Sequence, residues 1–176
     1  LPHVMFGGLT HAPAVALCER LVDLAPAHFE RVFLSDSGSV AVEIAIKMAF
    51  QFWLAQGEKG RNRLLTIRGG YHGDTFATMA VCDPINGMHE LFSGMLPSHV
   101  FAERPVCRFG EPCEDAHFQD IQEKLWGNRS EIAAVILEPT GSLFGMVPID
   151  GEFLSALREV TQQYKVLLIF DEVVTG

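Results

Sequence analysis

Residues 31–53 read RVFLSDSGSVAVEIAIKMAFQFW and contain the turn around which the rest of the chain is organised. The apolar run at residues 31–34 predicts a short buried strand, and the apolar spacing over residues 40–53 predicts a helix. We expect this helix to bury a wide stripe of residues that recur every four positions, namely Ile44, Met48, Phe52, Ala41, Ala45, Ala49 and Trp53.

The turn Asp36-Ser37-Gly38-Ser39 between the two has two interpretations. It can be an ordinary helix cap, because Asp and Ser are common at that position. It can also bind an anion, because first-turn N–H groups lack intrahelical partners and carry the positive end of the helix dipole. Gly38 would let the backbone approach a phosphate closely, and the hydroxyls of Ser37 and Ser39 could add donors. This stretch alone favours the cap, and the later motifs reverse that preference.

Composition excludes several partners. The chain has 176 residues, 48% of them hydrophobic and 20% charged, which is typical of one soluble globular domain. A net charge of −9 without a basic stripe predicts that no nucleic acid is bound. No run is judged long and apolar enough to span a bilayer, the best candidate being residues 166–170, so no membrane partner is expected.

The cysteines and the chain ends bear on location and completeness. The cysteines form neither a CxxC pair nor the spacing of a secreted scaffold, which predicts reduced thiols and a cytoplasmic protein. The chain begins with Leu1 and stops at Gly176, just past a predicted strand, so we expect both termini to be truncated. The four cysteines are Cys18, Cys82, Cys107 and Cys113.

Helical and strand patterns alternate along the chain. This order predicts a layered α/β fold with a mostly parallel sheet flanked by helices. The connection over residues 83–118 is long and irregular, and we expect a wrapped loop or a segment that covers a partner. Besides the elements above, the predicted helices are residues 14–24, 115–126 and 151–164, and the predicted strands are residues 64–67, 132–137 and 166–170.

The loop Gly69-Gly70-Tyr71-His72-Gly73-Asp74-Thr75 follows one of these strands. Open α/β sheets place ligands at the carboxyl ends of their strands, and Tyr71 there could stack on a flat ring. His72 and Asp74 could be acid–base or metal groups, but no third partner is visible, and local hydrogen bonding is preferred. His3 and His11 fit no common metal-site spacing, so no metal is predicted.

Asp171-Glu172 lies at the end of the last predicted strand. An apolar strand followed by Asp-Glu is found in P-loop ATPases, but the chain contains no G-x-x-x-x-G-K-[ST] loop. A carboxylate at a strand end can also keep the pyridinium nitrogen of pyridoxal 5′-phosphate (PLP) protonated. That use needs a phosphate site and an aromatic partner, and both occur earlier in the chain.

Four motifs resemble the successive cofactor motifs of the class III (ornithine-type) aminotransferases of PLP fold type I. They are DSGSVAVEIAIKMA, GGYHGDTF, ILEP and LLIFDEVVTG. The resemblance covers essentially the whole chain. It implies that residues 1–176 are a fragment of the PLP-binding large domain of a transaminase.

The resemblance also implies a role for each site residue. Gly38 and Ser39, with Ser37 beside them, would bind the cofactor phosphate. The catalytic residues would be Tyr71, stacked on the pyridine ring and bordering the substrate pocket, and Asp171, paired with the ring nitrogen. Val173 would pack on the opposite ring face, and Glu138 would position polar groups near the cofactor.

Two further stretches narrow the resemblance to one group within the family. They are HVMFGGLTHAPA and the segment Val81-Cys82-Asp83-Pro84. They resemble family members that transfer an amino group from S-adenosylmethionine to 8-amino-7-oxononanoate, giving 7,8-diaminononanoate in biotin biosynthesis. Such enzymes are homodimers with sites at the interface, and residues 1–8 and 83–118 are the candidate contacts. The alternatives are a class III aminotransferase or aminomutase acting on ω-amino acids or diamines, and a non-catalytic PLP-binding chain.

Two departures from the family pattern stand out. Leu143 and Phe144 are bulky in a 140–146 loop where the family has small residues. None of the lysines fits the Schiff-base role, since the family's lysine follows the DE-x-x-TG strand, beyond Gly176. We therefore expect residues 1–176 alone to be inactive. The lysines are Lys47, Lys59, Lys124 and Lys165.

Overall fold

The computed structural model describes residues 4–85, 89–105, 110, 114–141 and 145–176. The chain divides into two compact units, Leu1–Ser35 and Asp36–Gly176. Helix α1 (Ala12–Leu24) belongs to the first unit and agrees with the predicted helix. The Nδ1 atom of His11 accepts a hydrogen bond from the N–H of Ala14 at 3.2 Å, and Pro13 lies in the first turn, where its missing N–H costs nothing.

The prediction of a strand at residues 31–34 is wrong. These residues have no regular secondary structure and pair with no strand in the part of the chain that the structure describes. Val32, Phe33 and Leu34 instead line an apolar cavity within the first unit, together with residues of α1. Three apolar residues in a row cannot distinguish pairing in a sheet from packing on a helix, and here they line a cavity beside α1.

The second unit contains a four-stranded sheet in which every described pairing is parallel, in the order β2-β1-β3-β6. The parallel α/β prediction is confirmed. The strands are β1 (Arg63–Ile67), β2 (Val100–Ala102), β3 (Ile132–Leu137) and β6 (Leu167–Phe170), with a separate antiparallel pair formed by β4 (Thr140–Gly141) and β5 (Val147–Pro148). The helices are α2 (Gly38–Ala55), α3 (Phe76–Met79), α4 (Asp115–Gly127) and α5 (Gly151–Gln163), with a 3₁₀ turn at Glu90–Phe92.

Helices cover both faces of this sheet. All six residues of β3 are buried, as expected for an interior parallel strand. Ala134 and Ile136 face α2 in one hydrophobic cluster. Val135 and Leu137 face α4 and α5 in the other. The alternation follows from the two-residue period of a strand. Since helices cover both faces, ligands of such sheets bind at the carboxyl ends of the strands.

The position of α2 is predicted correctly, but its buried face is predicted only in part. Met48 and Phe52 of the predicted stripe are 48% and 44% exposed. The buried residues are Val42, Ile46, Ala49 and Trp53, of which Ala49 and Trp53 belong to the predicted stripe. Nearly every position of α2 is apolar, so its sequence carries little information about which face is inward. The Nε1–H of Trp53 donates to the carbonyl of Ala133 at 2.7 Å and fixes the helix against β3.

Helix α2 also corrects the prediction that no segment could span a bilayer. Its 18 residues are long and apolar enough to do so by length and composition, and no other helix of the described chain meets those criteria. Core helices of soluble proteins meet the same criteria. One side of α2 packs into the core, and Glu43 in its second turn accepts a hydrogen bond from Thr75 at 2.6 Å.

Three short strands were missed by the sequence patterns. Strand β2 lies inside the connection predicted to be irregular over residues 83–118, β4 lies at the start of the atypical 140–146 loop, and β5 directly follows that loop. Strands of two or three residues are too short to show a period. Leu143 and Phe144 of that loop, like Cys107 and Cys113, lie outside the described residues.

Candidate functional site

A cavity of about 230 Å³ opens where the loops after β1, β3 and β6 meet the N-terminus of α2. The structure brings all seven predicted site residues to this cavity, although they come from four separate segments of the chain. Its lining consists of Ser37, Gly38, Ser39, Tyr71, His72, Gly73, Glu138, Asp171, Val173 and Val174.

The N-terminus of α2 forms one wall. Ser37 is the capping residue, and its Oγ accepts a hydrogen bond from the N–H of Val40 at 3.2 Å. The Oγ of Ser39 accepts from the N–H of Asp74 at 3.2 Å. The cap interpretation therefore holds for Ser37. It does not exclude the anion site, because the remaining first-turn N–H groups of a helix have no intrahelical acceptor.

Two glycines allow close packing around this wall. A Cβ atom built on Gly38 would lie only 2.6 Å from Cγ1 of Val173, so a side chain at position 38 would displace Val173. Gly73 has a φ of 122°, and a Cβ there would overlap the Ser39 side chain. Both glycines are therefore required by close approach, and Gly73 also by its backbone conformation.

Asp171 lies just past β6 and is 9% exposed. Its Oδ2 atom is 2.8 Å from Nδ1 of His72, and its Oδ1 accepts from the N–H of Val173 at 3.2 Å. The His72 side chain is fully buried, and its Nε2 has no hydrogen-bond partner in the described chain. The carboxylate is thus held from two directions while its residue still lines the cavity.

His72 was not predicted as a site residue, and the expectation of local hydrogen bonding for it is wrong. Its partner Asp171 lies 99 positions away in sequence. Asp74 does have a local hydrogen bond, with Tyr71, and in addition its Oδ1 is 2.9 Å from Nε2 of His89, 15 positions away. The sequence placed His72 in the correct loop, but only the parallel order of β1, β3 and β6 brings that loop to Asp171.

Tyr71 is held by its backbone and by its ring. Its N–H donates to Oε2 of the buried Glu138 at 2.9 Å. Its ring stacks on His89, with ring centroids 6.2 Å apart and an interplanar angle of 21°. Burial, followed by a hydrogen bond to Asp74 and the charge of Asp74, raises the pKa of the Tyr71 phenol. Hydrogen bonds from His89 and then Tyr71 lower the pKa of Asp74.

Cys82 forms hydrogen bonds that hold the loop containing His72 in place. Its Sγ accepts from the N–H of His72 at 3.1 Å and donates to the carbonyl of Thr78 at 3.2 Å. Burial, as the largest cause, raises the pKa of this thiol to about 11. A thiol with that pKa remains protonated at neutral pH, so Cys82 is a packing residue rather than a nucleophile.

The described residues contain no cluster of metal-ligating side chains. No lysine is found among the described residues that line the cavity. The site therefore offers a helix N-terminus, a fixed carboxylate and an aromatic ring, but no amine. Such a set can hold an anion and a protonated ring nitrogen next to one another.

Comparison with known proteins identifies the family of this chain. A family model described as Aminotransferase class-III matches residues 1–176. An adenosylmethionine-8-amino-7-oxononanoate aminotransferase from Buchnera aphidicola subsp. Acyrthosiphon pisum (strain APS) is 45% identical over 177 residues, which cover 100% of this chain and 41% of that protein. The enzyme of the same name from Mycobacterium leprae (strain TN) is 47% identical over 175 residues, covering 99% of this chain and 39% of its own length.

Solved structures agree. The crystal structure of the enzyme of that name from Methanocaldococcus jannaschii matches with a TM-score of 0.88 at 32% identity, covering 99% of this chain and 38% of its own. An amine transaminase from an uncultivated Pseudomonas species, in a PLP-bound form, also has a TM-score of 0.88, at 34% identity, with 99% and 41% covered. The chain thus spans about two-fifths of the length of these relatives.

Proposed function

This chain belongs to the class III aminotransferase family, and from that membership we propose that it forms the cofactor-binding part of a PLP-dependent transaminase. The proposed reaction transfers an amino group from S-adenosylmethionine to 8-amino-7-oxononanoate. The observation that carries the proposal is the buried, doubly held carboxylate of Asp171, in the same cavity as the N-terminus of α2. The relatives named for this reaction support the choice of substrates.

The residues present fit PLP. Because position 38 is a glycine, the side chain of Val173 can lie directly against the start of α2, which a Cβ at position 38 would prevent. A phosphate suits the start of α2 because the first-turn N–H groups of a helix lack intrahelical acceptors and carry the positive end of the helix dipole. The fixed carboxylate of Asp171 suits a protonated ring nitrogen, and Tyr71 supplies a flat apolar surface.

When bound, PLP supplies an electron-withdrawing ring that stabilises the negative charge left on the donor carbon when its proton is removed. Asp171 contributes by keeping a proton on the ring nitrogen. His72 and the N–H of Val173 contribute by fixing that carboxylate before the reaction, so that no reorientation is needed during it. Glu138 fixes the backbone of Tyr71 at the other side of the cavity.

The assembly is also a proposal. We propose a homodimer, as the resemblance implies for this family, and a cytoplasmic location, as the cysteine spacing predicts. Support comes from Met5, Phe6 and Leu9 in the first unit, which are 79%, 51% and 65% exposed, because exposed apolar residues clustered in sequence are typical of subunit contacts. Light scattering of the complete gene product at two protein concentrations tests the oligomeric state.

A second candidate is transfer from a simple amine, and the match to the PLP-bound amine transaminase favours it. The experiment is to load the complete gene product with PLP and add S-adenosylmethionine alone. We expect the absorption of the bound cofactor to change to that of the pyridoxamine form, and then to recover with 8-amino-7-oxononanoate. A response to a diamine or an ω-amino acid but not to S-adenosylmethionine would favour the second candidate, and no response to any amine would refute both.

A further inference from the structure

Three side chains, those of Tyr71, Asp74 and His89, contact one another, and Tyr71 is the one among them that lines the cavity and was predicted as a site residue. Nε2 of His89 lies 2.9 Å from Oδ1 of Asp74. The His89 ring stacks on the Tyr71 ring at a centroid distance of 6.2 Å. Asp74 in turn interacts with the Tyr71 hydroxyl, which closes the set.

These residues differ in burial, and the difference indicates which side chain holds the others in their orientation. The side chain of His89 is 9% exposed, whereas that of Asp74 is 67% exposed. A carboxylate this open to water would turn freely about its side-chain bonds if nothing held it. His89 is the rigid member, and because a carboxylate only accepts hydrogen bonds, its Nε2–H must donate to Asp74.

The backbones of the other two members are fixed independently of His89. The N–H of Asp74 donates to Oγ of Ser39, and the N–H of Tyr71 donates to Oε2 of Glu138. What remains to be set is the direction of the Asp74 carboxylate, and through it that of the phenol. The bond from His89 is the described contact that sets it.

We propose that His89 is a positioning residue that aims the Asp74 carboxylate at the hydroxyl of Tyr71 and so fixes the tyrosine ring at the edge of the cofactor cavity. This inference rests on the proposed function, because it assigns Tyr71 to the cofactor site. It also gives a role within the subunit to the start of the segment that includes Glu90–Phe92, which lies in the connection predicted only as a subunit contact.

The alternative is that His89 only fills space beside Tyr71, and two substitutions separate the possibilities. His89→Phe keeps a flat ring beside Tyr71 but loses the N–H. His89→Gln loses the ring but keeps an N–H near the Nε2 position. Asp74→Ala removes the carboxylate, and the double variant with His89→Phe shows whether His89 acts through it.

The experiment incorporates 3-fluorotyrosine at position 71 in the complete gene product without cofactor and records the fluorine resonance. We expect His89→Phe to move the resonance in the same direction as Asp74→Ala, the double variant to match Asp74→Ala, and His89→Gln to stay near the unsubstituted protein. With PLP and S-adenosylmethionine, His89→Phe should lower kcat/KM about tenfold or more, and His89→Gln should restore most of it.

Two results would overturn the inference. One is a His89→Phe resonance that does not move, and the other is a movement that adds in full to that of Asp74→Ala. If His89→Phe fails to fold by circular dichroism, His89→Leu takes its place under the same criteria. Because the resonance needs neither PLP nor donor, failure of the proposed function appears separately, as an unsubstituted protein without transaminase activity.

Discussion

Nδ1 of His72 lies 2.8 Å from Oδ2 of Asp171, and the two side chains are 0% and 5% exposed. The pair joins the loop after β1 to the end of β6 across the intervening strand β3. A buried carboxylate needs hydrogen-bond donors, and His72 supplies one of those that Asp171 has. The position of the carboxylate in the cavity therefore depends on a histidine outside the predicted set.

Substitution of His72 tests this dependence. His72→Leu should weaken PLP binding and slow the reaction with S-adenosylmethionine about tenfold or more, because a hydrogen bond to a charged group is lost in a buried place. His72→Asn, whose side-chain N–H can take the place of Nδ1–H, is the matched control and should lose less. Spectrophotometric titration with PLP measures the first effect and single-turnover absorbance the second. Equal behaviour of His72→Leu and the unsubstituted protein would refute the role.

The approach of Gly38 to Val173 gives a second prediction. Gly38→Ala should lower PLP affinity about tenfold, because the new methyl group forces Val173 or the start of α2 to move. Gly151→Ala is the control, since a Cβ at the first residue of α5 meets nothing within 4 Å. Fluorescence titration of the two variants with PLP measures the difference. Equal affinities would show that the contact between Gly38 and Val173 is looser than described.

His99 makes stability depend on pH. Burial, followed by the charge of Arg63, lowers the pKa of His99 from its usual 6.5 to about 4, and its Nδ1 accepts from the N–H of Leu64 at 3.3 Å. Between these pH values the unfolded chain binds a proton that the folded chain does not. The contribution of the neutral His99 side chain to the free energy of unfolding is therefore fully present above about pH 6.5 and is lost as the pH falls toward 4.

Urea unfolding at pH 7 and pH 4.5 measures this effect. The unsubstituted protein should lose about 2–3 kcal/mol more free energy of unfolding than His99→Asn over this range. Asn keeps an acceptor for the N–H of Leu64 but does not titrate, so the other acid-sensitive groups cancel in the comparison. An identical loss in both proteins would contradict the depressed pKa.

Cys82 should resist alkylation in the native state. It is 2% exposed and its pKa is raised to about 11, whereas Cys18 is only half-buried. Iodoacetamide at pH 8 followed by peptide mass spectrometry should label Cys18 and leave Cys82 unmodified until denaturant is added. Rapid native labelling of Cys82 would mean that the loop containing His72 opens frequently.

The sequence predicted the layers of the fold well because long periodic segments carry that information. Strand β3 and helices α1, α4 and α5 lie close to where their patterns placed them. It failed where the pattern was uniform or short: part of the inward face of α2, the residues 31–34 that pair with no described strand, and the strands of two or three residues. In these places contacts with distant segments decide the structure, and local periodicity does not record them.

The site was predictable in its motifs but not in its connections. The seven residues that the motifs suggested come together at one cavity, and their chemical roles remain predictions. His72 and His89 were missed because their partners are set by strand order and by an irregular connection. A histidine in a glycine-rich loop was the available signal for His72, and no comparable signal marked His89.

The most direct test of the central proposal is a single turnover with S-adenosylmethionine in the complete gene product, comparing the unsubstituted protein with Asp171→Asn. Asn keeps the size of the side chain and an acceptor for the N–H of Val173, so PLP should still bind. If Asp171 keeps the ring nitrogen protonated, conversion of the bound cofactor should slow at least about 100-fold. Conversion within about twofold of the unsubstituted rate, with PLP bound in both, would contradict it.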